Sequence, residues 1–253
     1  GSKIEEYCFF CELAQAYKSP GHIMAGFRDY ALDKYLKKIQ DNGYTAVVYT
    51  QDTPSTNTTR SLQGIYSPGT YFSYDHNDIT NNVSCIWISE IKNRITKTEN
   101  IVIGMSNIDI YTGRSNVFET VVENLHNPTT YDELERYLSS NNPSELIIIS
   151  NLEDKKIQDV LYFINNKARK THIVLIENKE DENTKKALNC EKQIYREEVL
   201  KKFFNLEKSL FDNILNSEIA TQSFIYLLDF IYEHNADLVY KIKDPEFENS
   251  ENR

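Results

Sequence analysis

The chain has 253 residues, of which 40% are hydrophobic and only 8 are Gly and 6 Pro. That is enough to bury the core of one large or two small domains, and it excludes collagen-like and Gly-rich disordered classes. The formal net charge of -10 argues against a free-standing, non-specific nucleic-acid binder, which would carry a basic patch.

The acidity is uneven. Residues 1–75, 76–178 and 179–253 hold 7, 10 and 11 Lys+Arg against 8, 14 and 16 Asp+Glu, so any DNA contact must be local or shared with other parts of a larger protein. Four cysteines, Cys8, Cys11, Cys85 and Cys190, form no disulfide framework. No apolar run approaches the ~18 residues of a membrane span. The expectation is a reducing, intracellular setting with no membrane partner.

From the start, apolar residues at Ile4, Tyr7, Cys8, Cys11 and Ala14 have helical spacing through residue 17, which Lys18-Ser-Pro-Gly21 breaks. After the apolar stretch His22–Phe27, Asp29 is placed to cap a helix with the stripe Leu32, Tyr35, Leu36 and Ile39. Gly43 sits where that helix should end, and Tyr44–Tyr49 is a β-branched and aromatic strand. A polar loop, 51–59, leads to a strand at Leu62–Tyr66 and the turn Ser67-Pro-Gly-Thr70. A polar linker at 75–82 marks a domain boundary.

Beyond it, Val83–Ile91, Ile101–Ile110 and Ser115–Val122 read as three antiparallel strands, the last two joined by a tight turn at Thr112-Gly113. Thr130-x-x-Glu133 has the form of a capping box ahead of a helix with Leu134, Tyr137 and Leu138 inward. Glu145–Ser150, a helix capped by Asp154, and His172–Ile176 make a βαβ unit with parallel strands. Three antiparallel strands followed by helix–strand–helix–strand is the order of an RNase H-like layer. After the charged loop Lys179–Lys186 the pattern is helical to about His234, and the apolar run Phe224–Ile231 demands burial on most sides. Little else in the chain is evident to cover it, which suggests absent partner helices.

Several segments, taken in order, resemble the MutS family of DNA mismatch-repair proteins. They are His22-Ile-Met-Ala-Gly-Phe27 with the helix Tyr30–Gln40 and Asn42–Gln51, Arg60–Thr70 with its Ser-Pro-Gly-Thr, and Asn81-Asn82 before a strand. Gly104–Asp109 with Tyr111–Arg114, and Asn142-Pro-Ser-Glu-Leu-Ile147, complete the series. The wording Met-Ala-Gly-Phe-Arg-Asp-Tyr further resembles the subgroup found in giant viruses and octocoral mitochondria.

The resemblance implies an α/β amino-terminal fragment. Residues 3–75 would be a partial mismatch-binding domain, 80–178 an RNase H-like connector, and 190–243 the start of a helical lever. It implies a full-length protein that binds mismatched double-stranded DNA as a dimer and uses ATP and Mg for shape change. Downstream repair proteins would dock on the connector. The setting would be a viral factory or the cytoplasm, nucleus or mitochondrion of a host cell. No cofactor and no enzymatic activity are expected in this fragment, because it has no Gly-rich phosphate loop ending in Gly-Lys-Ser/Thr.

One departure is central. The family wedges the aromatic ring of a Phe-x-Glu motif beside the mispaired base, upstream of Met-Ala-Gly. Here Phe10-x-Glu12 has that spelling, but it lies close to Met24 and inside a helical pattern. The DNA-binding candidates are therefore Arg28, after Met-Ala-Gly, and Arg60, leaving the loop. A salt bridge to Asp29 or Asp33 is the plainer reading of Arg28.

Other candidates carry plainer readings too. Cys8-x-x-Cys11 has the spacing of a zinc or redox pair but no second pair, so core packing is favoured. Asp109 stands on a strand where an RNase H-type nuclease would hold metal ions, yet the later strands offer no central carboxylate, which favours a turn-stabilising role. The metal-dependent nuclease using Asp109 is kept as an alternative, as is a protein-docking module without DNA binding. Lys167-Ala-Arg-Lys170 is read as a solvated helix end rather than a phosphate contact. The scattered histidines form no nucleophile motif, and no metal ligand is assigned.

Overall fold

The computed structural model describes residues 3–19, 22–51, 59–71, 80–92, 98–204 and 216–248. The expected loop at 51–59 and the linker at 75–82 fall largely outside the described residues, as does most of the connection between the strands expected at 83–91 and 101–110.

Among the described residues, the region 3–71 contains two α-helices and two antiparallel strand pairs. Helix α1 (Ile4–Cys11) turns Cys8 and Cys11 inward. It stops short of the spacing that pointed to residue 17. Glu12 adopts φ 56°, its N–H bonds Phe9 O, and Leu13 N–H returns to Cys8 O, which closes the last turn. The chain then forms β1 (Ala16–Ser19), antiparallel to β2 (His22–Met24). Asp29 opens a single 3-10 turn ahead of α2 (Leu32–Asp41) rather than capping it with its side chain. Gly43, at φ 77°, ends that helix where a Cβ would lie 2.5 Å from the Arg169 carbonyl oxygen. Strands β3 (Ala46–Gln51) and β4 (Arg60–Tyr66) pair antiparallel with a register shift at Val48/Tyr49.

The second region is built on a six-stranded sheet. Strands β5 (Asn82–Lys92), β6 (Glu99–Asp109) and β7 (Ser115–Glu123) are antiparallel neighbours. After α3 (Asp132–Asn141), β8 (Glu145–Ser150) runs parallel to β5; after α4 (Asp154–Phe163), β9 (Lys170–Leu175) runs parallel to β8. The capping box does not form. Asn127 Oδ1 accepts from Thr129 N–H at a 3-10 turn ahead of α3, and Thr130 Oγ1 accepts from Leu125 N–H.

Among the described residues, α5 (Glu182–Cys190), α6 (Gln193–Phe203) and α7 (Glu218–His234) follow. A short α8 (Ala236–Val239) leads to β10 (Glu246–Glu248), parallel to β7 at the sheet edge. The order β10-β7-β6-β5-β8-β9 contains the expected RNase H-like succession and adds one edge strand.

Strand alternation sends side chains to both faces. On one face Ile86, Ile88, Met105 and Ile148 meet Leu134 and Tyr137 of α3 and Ile157 and Val160 of α4. On the other, Val83, Cys85, Trp87 and Ile147 meet Cys190, Leu200, Phe224 and Leu228. The apolar run of α7 thus has its partner within the chain: the described part of the segment 190–243, set apart as a lever from its sequence, packs on the second face of this sheet. Helix α7 approaches so closely that a Cβ on Gly104 would fall 2.3–2.4 Å from backbone atoms of Ile219 and Ala220. Glu119, across on β7, accepts the Ala220 N–H at 2.9 Å at the start of this helix. Among the described residues, no helix is long and apolar enough to cross a membrane.

Candidate nucleic-acid interface and the joint behind it

Arg28 and Arg60 both stand exposed on the first region. Arg28 has extended backbone angles just before the 3-10 turn, and Arg60 opens β4 opposite Gln51. Among the described residues neither makes an ion pair. Asp33, weighed as a partner for Arg28, instead accepts from the Tyr71 hydroxyl at 3.1 Å. Among the described residues, no hydrogen bond or ion pair links the two arginines. Tyr30, Tyr49 and Leu62 are exposed on the same region.

Phe10 and Glu12 are engaged locally. The Phe10 ring stacks on Tyr44 at 5.3 Å, and Glu12 pairs with Lys38 at 2.7 Å. That ion pair holds the exposed Glu12 carboxyl below its ordinary range. Cys8 and Cys11 are free thiols packed inward, and burial pushes the Cys11 thiol up from its ordinary value. Among the described residues, no group of three or more His, Cys, Asp or Glu is arranged to hold a metal ion.

Asp109 is buried at the end of β6. Its Oδ1 accepts from Asn81 N–H at 2.9 Å and Tyr111 N–H at 3.1 Å, and its Oδ2 from Thr112 Oγ1 at 2.6 Å. These bonds organise the turn to β7, where Gly113 takes φ 71° and its N–H bonds Asp109 O.

The basic cluster after α4 also works inward. Arg169 pairs with Asp41 at 3.4 Å, and Lys170 donates to Thr45 Oγ1 at 2.6 Å. Two of its three cations therefore reach back to the first region, rather than forming the solvated helix end expected from the sequence.

The residue that sequence reasoning passed over is Glu145. It opens β8 with no side-chain exposure. Its Oε1 lies 2.7 Å from His172 Nε2 on β9, while its Oε2 accepts from Ser67 Oγ at 2.5 Å and Gly69 N–H at 2.9 Å. Burial pushes this carboxyl up, but the His172, Ser67 and Gly69 donors outweigh it and hold the group below its ordinary range. His172 also meets the Phe230 ring edge-on at 5.4 Å, tying the site to α7.

The Ser67-Pro-Gly-Thr70 turn is held from other sides too. Asn81 Nδ2 donates to the Pro68, Gly69 and Tyr71 carbonyls at 3.2–3.3 Å, and Gln40 Nε2 to the Ser67 carbonyl at 3.2 Å. A Cβ on Gly69 would lie 2.5 Å from Val83 and 2.7 Å from Glu145, so only glycine lets the turn sit this close. Helix α2, the turn, Asn81, the end of β6 and the start of β8 thus converge on one polar joint. The available signal was a lone acidic residue opening an otherwise apolar strand.

Fold and joint define a mixed α/β protein whose six-stranded sheet clasps a smaller preceding region through the buried Glu145 carboxylate. No family model matches the chain. Its sequence is 27% identical over 245 residues, 90% of the chain, to a protein of Acanthamoeba polyphaga mimivirus named as a mutS homolog for DNA mismatch repair. The match supports a MutS-family relationship at moderate identity, and the chain spans 22% of that relative's length.

Proposed function

We propose that this chain is the amino-terminal part of a MutS-like protein that binds mismatched double-stranded DNA. Arg28 and Arg60 contribute phosphate contacts, which position the duplex without reading its sequence. The connector couples that contact to ATP-driven changes made elsewhere in the longer protein and offers a surface to downstream repair proteins. A dimer partner, ATP and Mg belong to that longer protein. This part carries no cofactor and no catalytic activity of its own.

The observation that supports this reading best is the convergence at Glu145. Segments that resemble the family in separate stretches of sequence meet there as one joint between the first region and the six-stranded sheet. A load on Arg28 or Arg60 would reach the sheet through α2, the turn and Glu145.

The test is binding to a labelled duplex with one G·T mismatch beside its matched twin. It compares this chain with a longer protein carrying the upstream reader strand and the ATPase. The expected result is mismatch preference in the longer protein alone, altered by ATP, weakened with salt and reduced for both duplexes by Arg28→Ala or Arg60→Ala. Equal or absent binding by the longer protein sinks the reading in favour of a docking module. A Mg-dependent cut abolished by Asp109→Asn would instead favour a nuclease.

A further inference from the structure

Behind the joint, two imidazoles meet one phenyl ring at the end of α7. His172 of β9 lies 5.4 Å from the Phe230 ring, and His234, one turn further along the helix, lies 4.3 Å from the same ring. His172 Nε2 faces the Glu145 carboxylate at 2.7 Å, which carries the row of contacts into the joint. The cluster thus strings together the last turn of α7, the edge strand β9 and the start of β8, where Glu145 holds Ser67 and Gly69.

The two histidines are placed differently. A proton on His172 Nε2 faces a carboxylate. His234 has no such match. Its Nδ1 lies 2.7 Å from the Phe230 carbonyl, which can only accept, so Nδ1 carries the proton of the neutral ring. A second proton must go to Nε2, and among the described residues that atom meets no hydrogen-bond partner. The charged groups that face His234 are Glu145 from β8, His172 from β9 and Glu233 from α7 itself, the last already paired with Lys186 of α5 at 2.7 Å. Burial outweighs the Phe230 carbonyl and the Glu145 charge and holds His234 below its ordinary value, with His172 acting in the same direction.

We infer that this cluster is a proton-operated clasp: proton uptake at His234 loosens the end of α7 from β9 while Glu145 still holds the first region to the sheet. The order follows from the chemistry of the two groups, since an imidazole takes up its proton near neutrality and a carboxylate only in stronger acid. The sign follows from linkage. His234 has a depressed folded-state value, so its contribution is complete above the unfolded value of about 6.5 and is lost as pH falls through the folded one. Glu145, also depressed, obeys the same sign from a lower starting point. The clasp goes beyond the mismatch-DNA reading and does not depend on it, because it operates without nucleic acid.

The test is hydrogen exchange of the whole chain, corrected for intrinsic rates, between about pH 7.5 and pH 5.5, either side of an ordinary imidazole. Opening of the last turn of α7 should rise several-fold over that range, with β4 and the turn 67–70 unchanged. His234→Gln, neutral throughout, should flatten the rise. The ring Cε1–H signals of the unaltered chain, followed by NMR, give a second reading. His234 should titrate below an ordinary imidazole, and His172→Gln should move it back up. An α7 that opens equally across the range, or a rise that survives His234→Gln, overturns the inference. So does a His234 that titrates at or above the ordinary value, or a first region that opens together with α7. None of these outcomes bears on duplex binding.

Discussion

In the second region Val83, Ile86, Trp87 and Ile147 are at most 1% exposed, because helices cover both faces of their sheet; in the first, Tyr30, Tyr49 and Leu62 stay more than half exposed. The difference follows from layer count. A sheet between two helical layers buries alternate residues of every strand, whereas a two-stranded hairpin has too little surface to be stable alone. The smaller region is therefore held in place largely by what it touches: Glu145, Asn81, Lys170 and Arg169 across the joint. The larger buried core lies in the second region, and the first region packs against it.

The hardest blow to that comparison should come from Phe224→Ala, which empties a fully buried site between α7 and the sheet. The expected loss is about 3–5 kcal/mol, read by urea unfolding through the fluorescence of Trp87, the chain's one tryptophan. The first region should be lost in the same transition. A transition in the first region that stays put would show that it is independently stable.

Next is Gly104→Ala, whose methyl would strike the backbone of Ile219 and Ala220. It should cost about 1–3 kcal/mol, with faster hydrogen exchange along α7. Unchanged stability would mean that α7 does not lie against β6 in solution.

Glu145→Gln sharpens the comparison, because it acts on the joint. It removes the charge that faces His172, Ser67 and Gly69, and should cost about 1–3 kcal/mol at neutral pH. Hydrogen exchange should rise at β4 and the turn 67–70 while β6 and β7 stay protected. The folded-state pKa of Glu145 lies below its unfolded value, so its contribution is complete above about pH 4.3 and fades as pH falls through the folded pKa. The gap between the two proteins should therefore close in acid. A gap that persists well below that pH, or exchange that rises equally across the sheet, would deny the joint its role.

The smallest effect is expected from Phe9→Ser, since Phe9 is 86% exposed. Stability should change by less than about 0.5 kcal/mol. A larger loss would reveal packing on the first region that the comparison does not include.

Much of the second region was legible in advance. Cys85–Ile88, Ile101–Ile103 and Leu146–Ile149 are apolar runs of strand length rich in β-branched residues, and the turn at Thr112-Gly113 needs a glycine at positive φ. Those features are local, so local sequence carries them. The end of α1 was less legible, because Glu12 adopts a left-handed conformation that its type does not advertise. The capping box at Thr130 failed for a similar reason: Asn127 capped first, and a short-range competitor is invisible to a four-residue motif.

By itself, the sequence determined the succession of strands and helices from β5 to β9, the turn at Asp109 and the resemblance to mismatch-repair proteins. The tertiary structure decided what α7 covers, where Arg169 and Lys170 point, and that Glu145 closes a joint with Ser67 and Gly69. The physical reason is range. Periodicity and turn chemistry act over a few residues, whereas a buried carboxylate must find donors 27 and 78 positions away, and only the folded chain brings them within reach.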